Sequence, residues 1–95
     1  MIPLEIQVQE AVEKFLVSQD LWPHDVFYMS DPKLLKISFI LKIEVEDFLD
    51  FLVYRNLADK TGITVFWETW TVVLSGMGLR MFFGKIESHE DKKTQ

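Results

Sequence analysis

The chain has 95 residues, no cysteine, and a net charge of −5 at pH 7 that comes from 15 acidic and 10 basic residues. A chain of this length forms one domain around one hydrophobic core. The lack of cysteine excludes a disulfide scaffold, a cysteine nucleophile and a thiolate metal site. The acidic balance disfavours nonspecific binding to nucleic acid and to anionic membranes, because both depend on Lys and Arg.

The first predicted element is a helix over residues 3–19. Apolar side chains recur there at spacings of three and four residues, which is the pattern of a helix with one buried face. Pro3 suits the first helical position. Leu4, Ile6 and Val8 also alternate with polar residues, so an extended first turn is the alternative. The N-terminal residues lack the basic segment and apolar run of a signal peptide, and we therefore expect a cytoplasmic protein.

Two strands are predicted next, over residues 25–29 and 34–43. The residues between them, which include Asp31 and Pro32, favour a turn. In the second segment apolar and polar residues alternate, as in a strand with one buried face. Ile40 is the only apolar residue on its polar side. The pattern predicts a half-buried hairpin.

A second helix is predicted over residues 44–61. Acidic residues crowd its first turn, where the helix dipole favours negative charge, and Gly62 is a natural C-terminal stop. Phe51 and Tyr54 widen its apolar stripe beyond what a surface helix buries. The sequence therefore predicts that this helix is either deeply buried or in contact with a partner.

The last two predicted strands are residues 63–74 and 79–86, joined at Gly76 and Met77. On one face this register matches residues of similar or complementary chemistry, which stabilises a pair of strands. The pairs are Leu74 with Leu79, Val72 with Met81, Trp70 with Phe83, and Glu68 with Lys85.

The complete predicted fold is an α+β domain with the element order α-β-β-α-β-β. We expect a four-stranded antiparallel sheet with two helices packed on one face. Residues 1–87 are predicted to form a single α+β domain, and residues 88–95 a flexible charged tail.

Two polar residues are candidates for chemistry. Glu68 is flanked by aromatic residues on its predicted strand, and a carboxylate in such surroundings can act as an acid or a base. An ion pair with Lys85 is the structural interpretation. His24 stands beside Asp25 in a connector, where the pair is either functional or a chance neighbourhood. We expect no cofactor and no metal, because His89 and its acidic neighbours fall in the predicted tail.

The apolar surface exceeds what a two-layer domain can cover, while the parts of familiar active sites are missing. We therefore expect a non-enzymatic protein–protein interaction module: a regulator, inhibitor or accessory subunit, with a phage or mobile element as one expected origin. Its partner would be another protein or a second copy of the chain in a homodimer, and neither nucleic acid nor a membrane. The alternative is a small-molecule-binding domain or minor enzyme with a pocket near Glu68 or His24. The predicted partner-binding residues are Trp67, Phe82, Trp70, Phe83, Phe51 and Tyr54.

Overall fold

The computed structural model describes residues 1–52 and 62–93. Their helices are α1 (Leu4–Ser18), α2 (Lys42–Leu52) and α3 (Gly76–Lys93), and their strands are β1 (Asp25–Ser30), β2 (Lys33–Ser38), β3 (Ile63–Phe66) and β4 (Thr71–Ser75). The strands form one antiparallel sheet in the order β1-β2-β4-β3. The predicted α+β class and four-stranded antiparallel sheet are confirmed. The prediction of two helices is wrong, because the described residues form three in the order α-β-β-α-β-β-α.

Helix α1 is helical from Leu4, so the alternative of an extended first turn is wrong. It ends in a Schellman motif, in which the chain reverses through a residue of left-handed conformation. Asp20 is that residue, with a φ of 65°. Its N–H donates to the Val17 carbonyl (3.0 Å), and the Leu21 N–H donates to the Leu16 carbonyl (2.8 Å). Both leucines of the motif are buried, which fixes the direction in which the chain leaves the helix.

The β1–β2 hairpin is confirmed, with a two-residue connection at Asp31 and a cis Pro32. Its register ends with Ser30 opposite Lys33. Residues 25–30 pair with residues 33–38 in sequence without a bulge. This hairpin is the part of the sheet that local sequence pattern predicts well.

Helix α1 runs along the outer edge of β1 and is tied to it by two side chains. The Tyr28 N–H donates to Gln9 Oε1 (3.0 Å), and Ser30 Oγ donates to Glu5 Oε2 (2.6 Å). The Ser30 hydrogen bond lowers the pKa of Glu5 from its ordinary value. Because Gln9 accepts the Tyr28 N–H, this backbone donor of the β1 edge is not available for pairing with another strand.

Strand β2 stops at Ser38, five residues before its predicted end. Phe39 enters the core, and α2 begins directly after Leu41. Glu44 Oε1 accepts a hydrogen bond from the Leu41 N–H (3.0 Å), which is one half of a capping box. The alternation that predicts a longer strand is misleading here, because Leu41 and Ile43 are exposed rather than buried.

Residues 63–74 do not form one strand, as predicted, but fold back on themselves. Strand β3 ends in a 3₁₀ turn at Trp67–Thr69, and Trp70 has a left-handed conformation (φ 49°, ψ 45°) that reverses the chain into β4. The two short strands then pair with Phe66 opposite Thr71. An aromatic residue in the left-handed region is uncommon, so the sequence pattern does not predict this turn.

Residues 79–86, predicted as the fourth strand, lie in helix α3. Gly76 and Met77 begin that helix and are not a hairpin turn. All cross-strand pairs predicted for this hairpin are therefore wrong, including Glu68 with Lys85. The position opposite β4 that the predicted strand would fill is occupied by β3.

The apolar residues of α3 explain why its pattern is ambiguous. Leu79, Phe82, Phe83 and Ile86 fall at spacings of three and four, so a helix gathers them on one face, whereas a strand divides them between two faces. Helix α3 continues to Lys93 and includes the first part of the segment predicted as a tail. The single domain of residues 1–87 and the flexibility of residues 88–95 stay predictions.

One hydrophobic core lies between the three helices and one face of the sheet. Phe82 is at its centre with no exposed surface, edge-on to Phe48 (5.8 Å between ring centroids) and to Phe15 (5.9 Å). The strands contribute alternate residues, which lie opposite one another in the sheet registers. These are Val26 and Tyr28 of β1, Leu35 and Ile37 of β2, Ile63 and Val65 of β3, and Val72 and Leu74 of β4.

Candidate functional site

The structure separates the five described members of the six residues that the sequence predicts for partner binding. Phe82 is fully buried and inaccessible to a partner. Phe51, Phe83 and Trp70 are partly buried and pack against the core. Tyr54 lies outside the described residues. Trp67 is the one member of the described five that is exposed, at 44% of its surface.

Trp67 lies at one end of the sheet, where three connecting segments come together. This is the end at which β1 begins, β2 ends and β3 turns into β4. The His24 N–H donates to the Ser38 carbonyl (2.7 Å), and the Phe39 N–H donates to the Trp70 carbonyl (2.8 Å). These two hydrogen bonds extend the sheet beyond its strands and hold the connecting segments side by side.

The connecting segments at this end expose several large apolar side chains. Each exposes between 44% and 63% of its surface. The neighbourhood is created by the fold, because the residues come from three separate stretches of sequence. We call the following six residues the apolar tip: Trp22, Ile40, Leu41, Ile43, Phe66 and Trp67.

The turn that carries Trp67 is held by a network of hydroxyl groups. Thr71 Oγ1 donates to the Thr69 carbonyl (3.0 Å) and accepts from Thr69 Oγ1 (3.0 Å). Since the Thr71 proton is thereby used, Ser38 Oγ is the donor in its 3.0 Å contact with Thr71 Oγ1. Thr71 is only 6% exposed. The network fixes the β3–β4 turn to strand β2 and so fixes the orientation of the tip.

The left-handed conformation of Trp70 is a second constraint on the same turn. Residues other than glycine, asparagine and aspartate adopt this region at a cost of about 1–2 kcal/mol, and such residues concentrate at functional sites. Trp70 is the only aromatic residue with a positive φ in the described segments. This strained residue and the exposed Trp67 belong to the same turn at this end of the sheet.

The sheet face opposite the core is also free of any described helix. Phe27, Lys36, Val73 and Thr64 form a row across its four strands, with Lys36 Nζ 5.7 Å from the centroid of the Phe27 ring. Phe66 lies on this open face as well as in the apolar tip, so the two surfaces are continuous. Most acidic residues, in contrast, lie on the three helices.

The two residues suggested for chemistry lie in connecting segments and are not buried. His24 and Glu68 both lie near the tip, and both are exposed. Glu68 is in the 3₁₀ turn, away from Lys85, whose Nζ lies 4.9 Å from the centroid of the Phe51 ring. Burial lowers the pKa of Lys85. Glu68 is exposed, so it lacks the apolar surroundings that the sequence predicts for an acid–base residue.

No metal site is formed by the part of the chain that the structure describes, in which no three His, Cys, Asp or Glu side chains come together. His89, predicted to lie in a tail, belongs to α3 and packs edge-on against Phe15 (5.4 Å between ring centroids). Its Nε2 is shielded and has no hydrogen-bond partner within the described segments. No helix in residues 1–52 or 62–93 has the length and apolar character needed to cross a membrane.

The chain matches no protein family model, no curated protein and no solved structure.

Two signals in the sequence could have identified more of the tip. Ile40 breaks the polar face of the predicted second strand, and Trp22 stands before Pro23 in a connector. Each is an apolar residue where a local pattern expects a polar one. Their proximity to Trp67 follows from the hydrogen bonds between the connecting segments, which no local pattern reveals.

Proposed function

We propose that this protein is a non-enzymatic protein-interaction module and that the apolar tip is its contact surface. The supporting observation is the concentration of six exposed apolar side chains at one end of the sheet. Single exposed apolar residues are ordinary on any protein, but several large ones concentrated at one end of a sheet are typical of an interaction site. Tryptophan and phenylalanine, which make up half of the tip, are residues that interfaces favour.

The rigidity of the tip supports the same proposal. The hydroxyl network around Thr71 and the capping of Leu41 by Glu44 hold both sides of the surface in place. A surface that is ordered before binding loses less conformational entropy when a partner docks. The exposure of Glu68 and His24 gives the alternative, a small-molecule site, no buried polar anchor.

The test compares a tip variant with a matched control that changes the same kind of residue elsewhere. Trp67→Glu places a charge in the tip. Met77→Glu does so at an apolar residue of similar exposure (47%), at the start of α3, where the helix dipole favours an acid. Both variants should retain the wild-type circular dichroism spectrum and unfolding midpoint, because neither side chain belongs to the core.

The first measurement identifies the proteins that co-purify with the tagged chain from its native host, including untagged copies of the chain. Direct binding of each identified protein is then measured with purified components. We expect direct binding that is at least about tenfold weaker with Trp67→Glu and unchanged with Met77→Glu. If every interaction survives in the Trp67→Glu variant, the tip is not the contact surface and the proposal fails.

A further inference from the structure

The area of the apolar tip is close to what one subunit contributes to a dimer. Aromatic side chains bury roughly 150–250 Å² each and aliphatic ones less, so the six side chains at the observed exposures present on the order of 500–600 Å². This area lies at the upper end of the range for the largest apolar patch on a typical monomer, about 300–600 Å². A standard interface buries about 800 Å² per partner, and the adjoining open sheet face can supply the difference.

The tip is also complementary to itself in its charges. It consists mainly of an aliphatic segment, residues 40–43, and an aromatic segment, residues 66–68, which come from different connections. The aliphatic segment carries one positive side chain, Lys42, and the aromatic segment carries one negative side chain, Glu68. Both charged side chains are exposed, and neither has an ion pair with another described residue.

A two-fold axis brings the same patch of two subunits together, so that each contact between unlike segments occurs twice. If the aliphatic segment of one copy lies on the aromatic segment of the other, apolar side chains meet apolar side chains. In the same arrangement Lys42 of each copy faces Glu68 of the other copy. If each segment instead faced the same segment of the other copy, Lys42 would face Lys42 and Glu68 would face Glu68.

We infer that the occupant of the apolar tip is a second copy of this chain, in a two-fold dimer that crosses residues 40–43 with residues 66–68. This inference rests on the proposed function and names its partner. Glu44, Glu46 and Asp47 at the start of α2 directly follow the aliphatic segment, so the two Lys42–Glu68 pairs are the contacts that offset the repulsion between the copies. The two intermolecular Lys42–Glu68 pairs define the orientation of the copies.

Charge exchange tests both the partner and the arrangement. In Lys42→Glu and in Glu68→Lys, each homodimer would oppose like charges at two places, and we expect its dissociation constant to rise at least about fivefold. In an equimolar mixture of the two variants, every such contact again joins opposite charges. The mixture, and the double variant Lys42→Glu/Glu68→Lys, should therefore dimerise within about twofold of wild type.

Sedimentation equilibrium from about 1 μM to about 1 mM, at low and at physiological salt, measures these constants. Glu87→Lys on α3 is the control for the change in net charge and should not weaken the dimer, because it is exposed outside the tip. Trp67→Glu should abolish dimerisation. Size-exclusion elution at low concentration would confirm that each variant remains compact.

A wild-type chain that is monomeric throughout this range overturns the inference. The proposed function then stands only if another protein binds directly and is lost with Trp67→Glu. A dimer that persists in Trp67→Glu, or single charge variants that fail to recover dimerisation when mixed, also overturns the crossed arrangement. If neither self-association nor the binding of any other protein depends on Trp67, both the inference and the proposed function fail.

Discussion

Asp20 offers a sharp test of how α1 ends, because two physical effects act on it in the same direction. Its φ of 65° lies in the left-handed region, where glycine is favoured over residues with a Cβ. Its carboxylate also stands at the C-terminus of a helix, where the dipole disfavours negative charge. We expect Asp20→Gly to stabilise the protein.

The magnitude follows from three contributions. Relief of the left-handed conformation gains about 1 kcal/mol at most, because aspartate tolerates this region better than most residues with a Cβ, while the greater freedom of glycine in the unfolded chain costs about 0.5–1 kcal/mol. Removal of the carboxylate from the helix end adds about 0.3–1 kcal/mol. The net gain is up to about 1 kcal/mol, and a gain of that size corresponds to a rise of roughly 4–8 °C in the melting temperature of a domain of this size. The backbone hydrogen bonds of Asp20 and Leu21 are unaffected.

Urea and thermal unfolding followed by circular dichroism measure the change. Asp20→Asn isolates the charge and should gain only about 0.3–1 kcal/mol. Asp20→Ala removes the charge but retains a Cβ, and should be less stable than Asp20→Gly. The reasoning is refuted if Asp20→Gly is less stable than wild type, or if Asp20→Ala is as stable as Asp20→Gly.

Two further predictions concern the sheet and its contact with α1. A Cβ on Gly62, at a φ of 84°, would lie 1.9 Å from the Ser75 carbonyl oxygen, so Gly62→Ala should cost more than about 2 kcal/mol of unfolding free energy. Gly84→Ala, in α3 with open space around its Cβ, should instead gain about 0.5–1 kcal/mol, and equal effects in urea unfolding would contradict the account. Ser30→Ala should raise the pKa of Glu5 towards its ordinary value, measured by NMR titration of the carboxyl carbon. Because the folded-state pKa of Glu5 is lowered, its stabilising contribution is present above the unfolded-state pKa and is lost as pH falls through the folded-state pKa. The Ser30→Ala variant should therefore lose less unfolding free energy than wild type over this pH range. An unchanged pKa of Glu5 in Ser30→Ala would show that the hydrogen bond has no effect.

The first half of the fold could be predicted from sequence because its signals are local and agree with one another. Helix α1 has one apolar stripe, and the β1–β2 hairpin has alternation on both sides of a turn that contains Pro32. The start of α2 was misplaced by only two residues, since the alternation over residues 39–43 competes with a capping contact from Glu44. Such boundary errors arise where two local patterns overlap.

The second half could not be predicted because its apolar residues satisfy two structures equally well. Residues 79–86 pair plausibly with β4 as a strand, and they also form one apolar helix face. The turn at Trp70 decides the matter, because it brings β3 beside β4 and fills the edge that residues 79–86 would need. This turn depends on an unfavourable backbone conformation of Trp70, which only its tertiary contacts compensate.

The sequence by itself determined the α+β class, the β1–β2 hairpin and the expectation that apolar surface remains exposed. It also identified Trp67 as part of that surface. Only the tertiary structure decided that Phe82 is buried, that α3 is a helix, and that Ile40 and Trp22 lie at the same end of the sheet as Trp67. The physical reason is that a local pattern records the character of a side chain, whereas its exposure depends on which distant element packs against it.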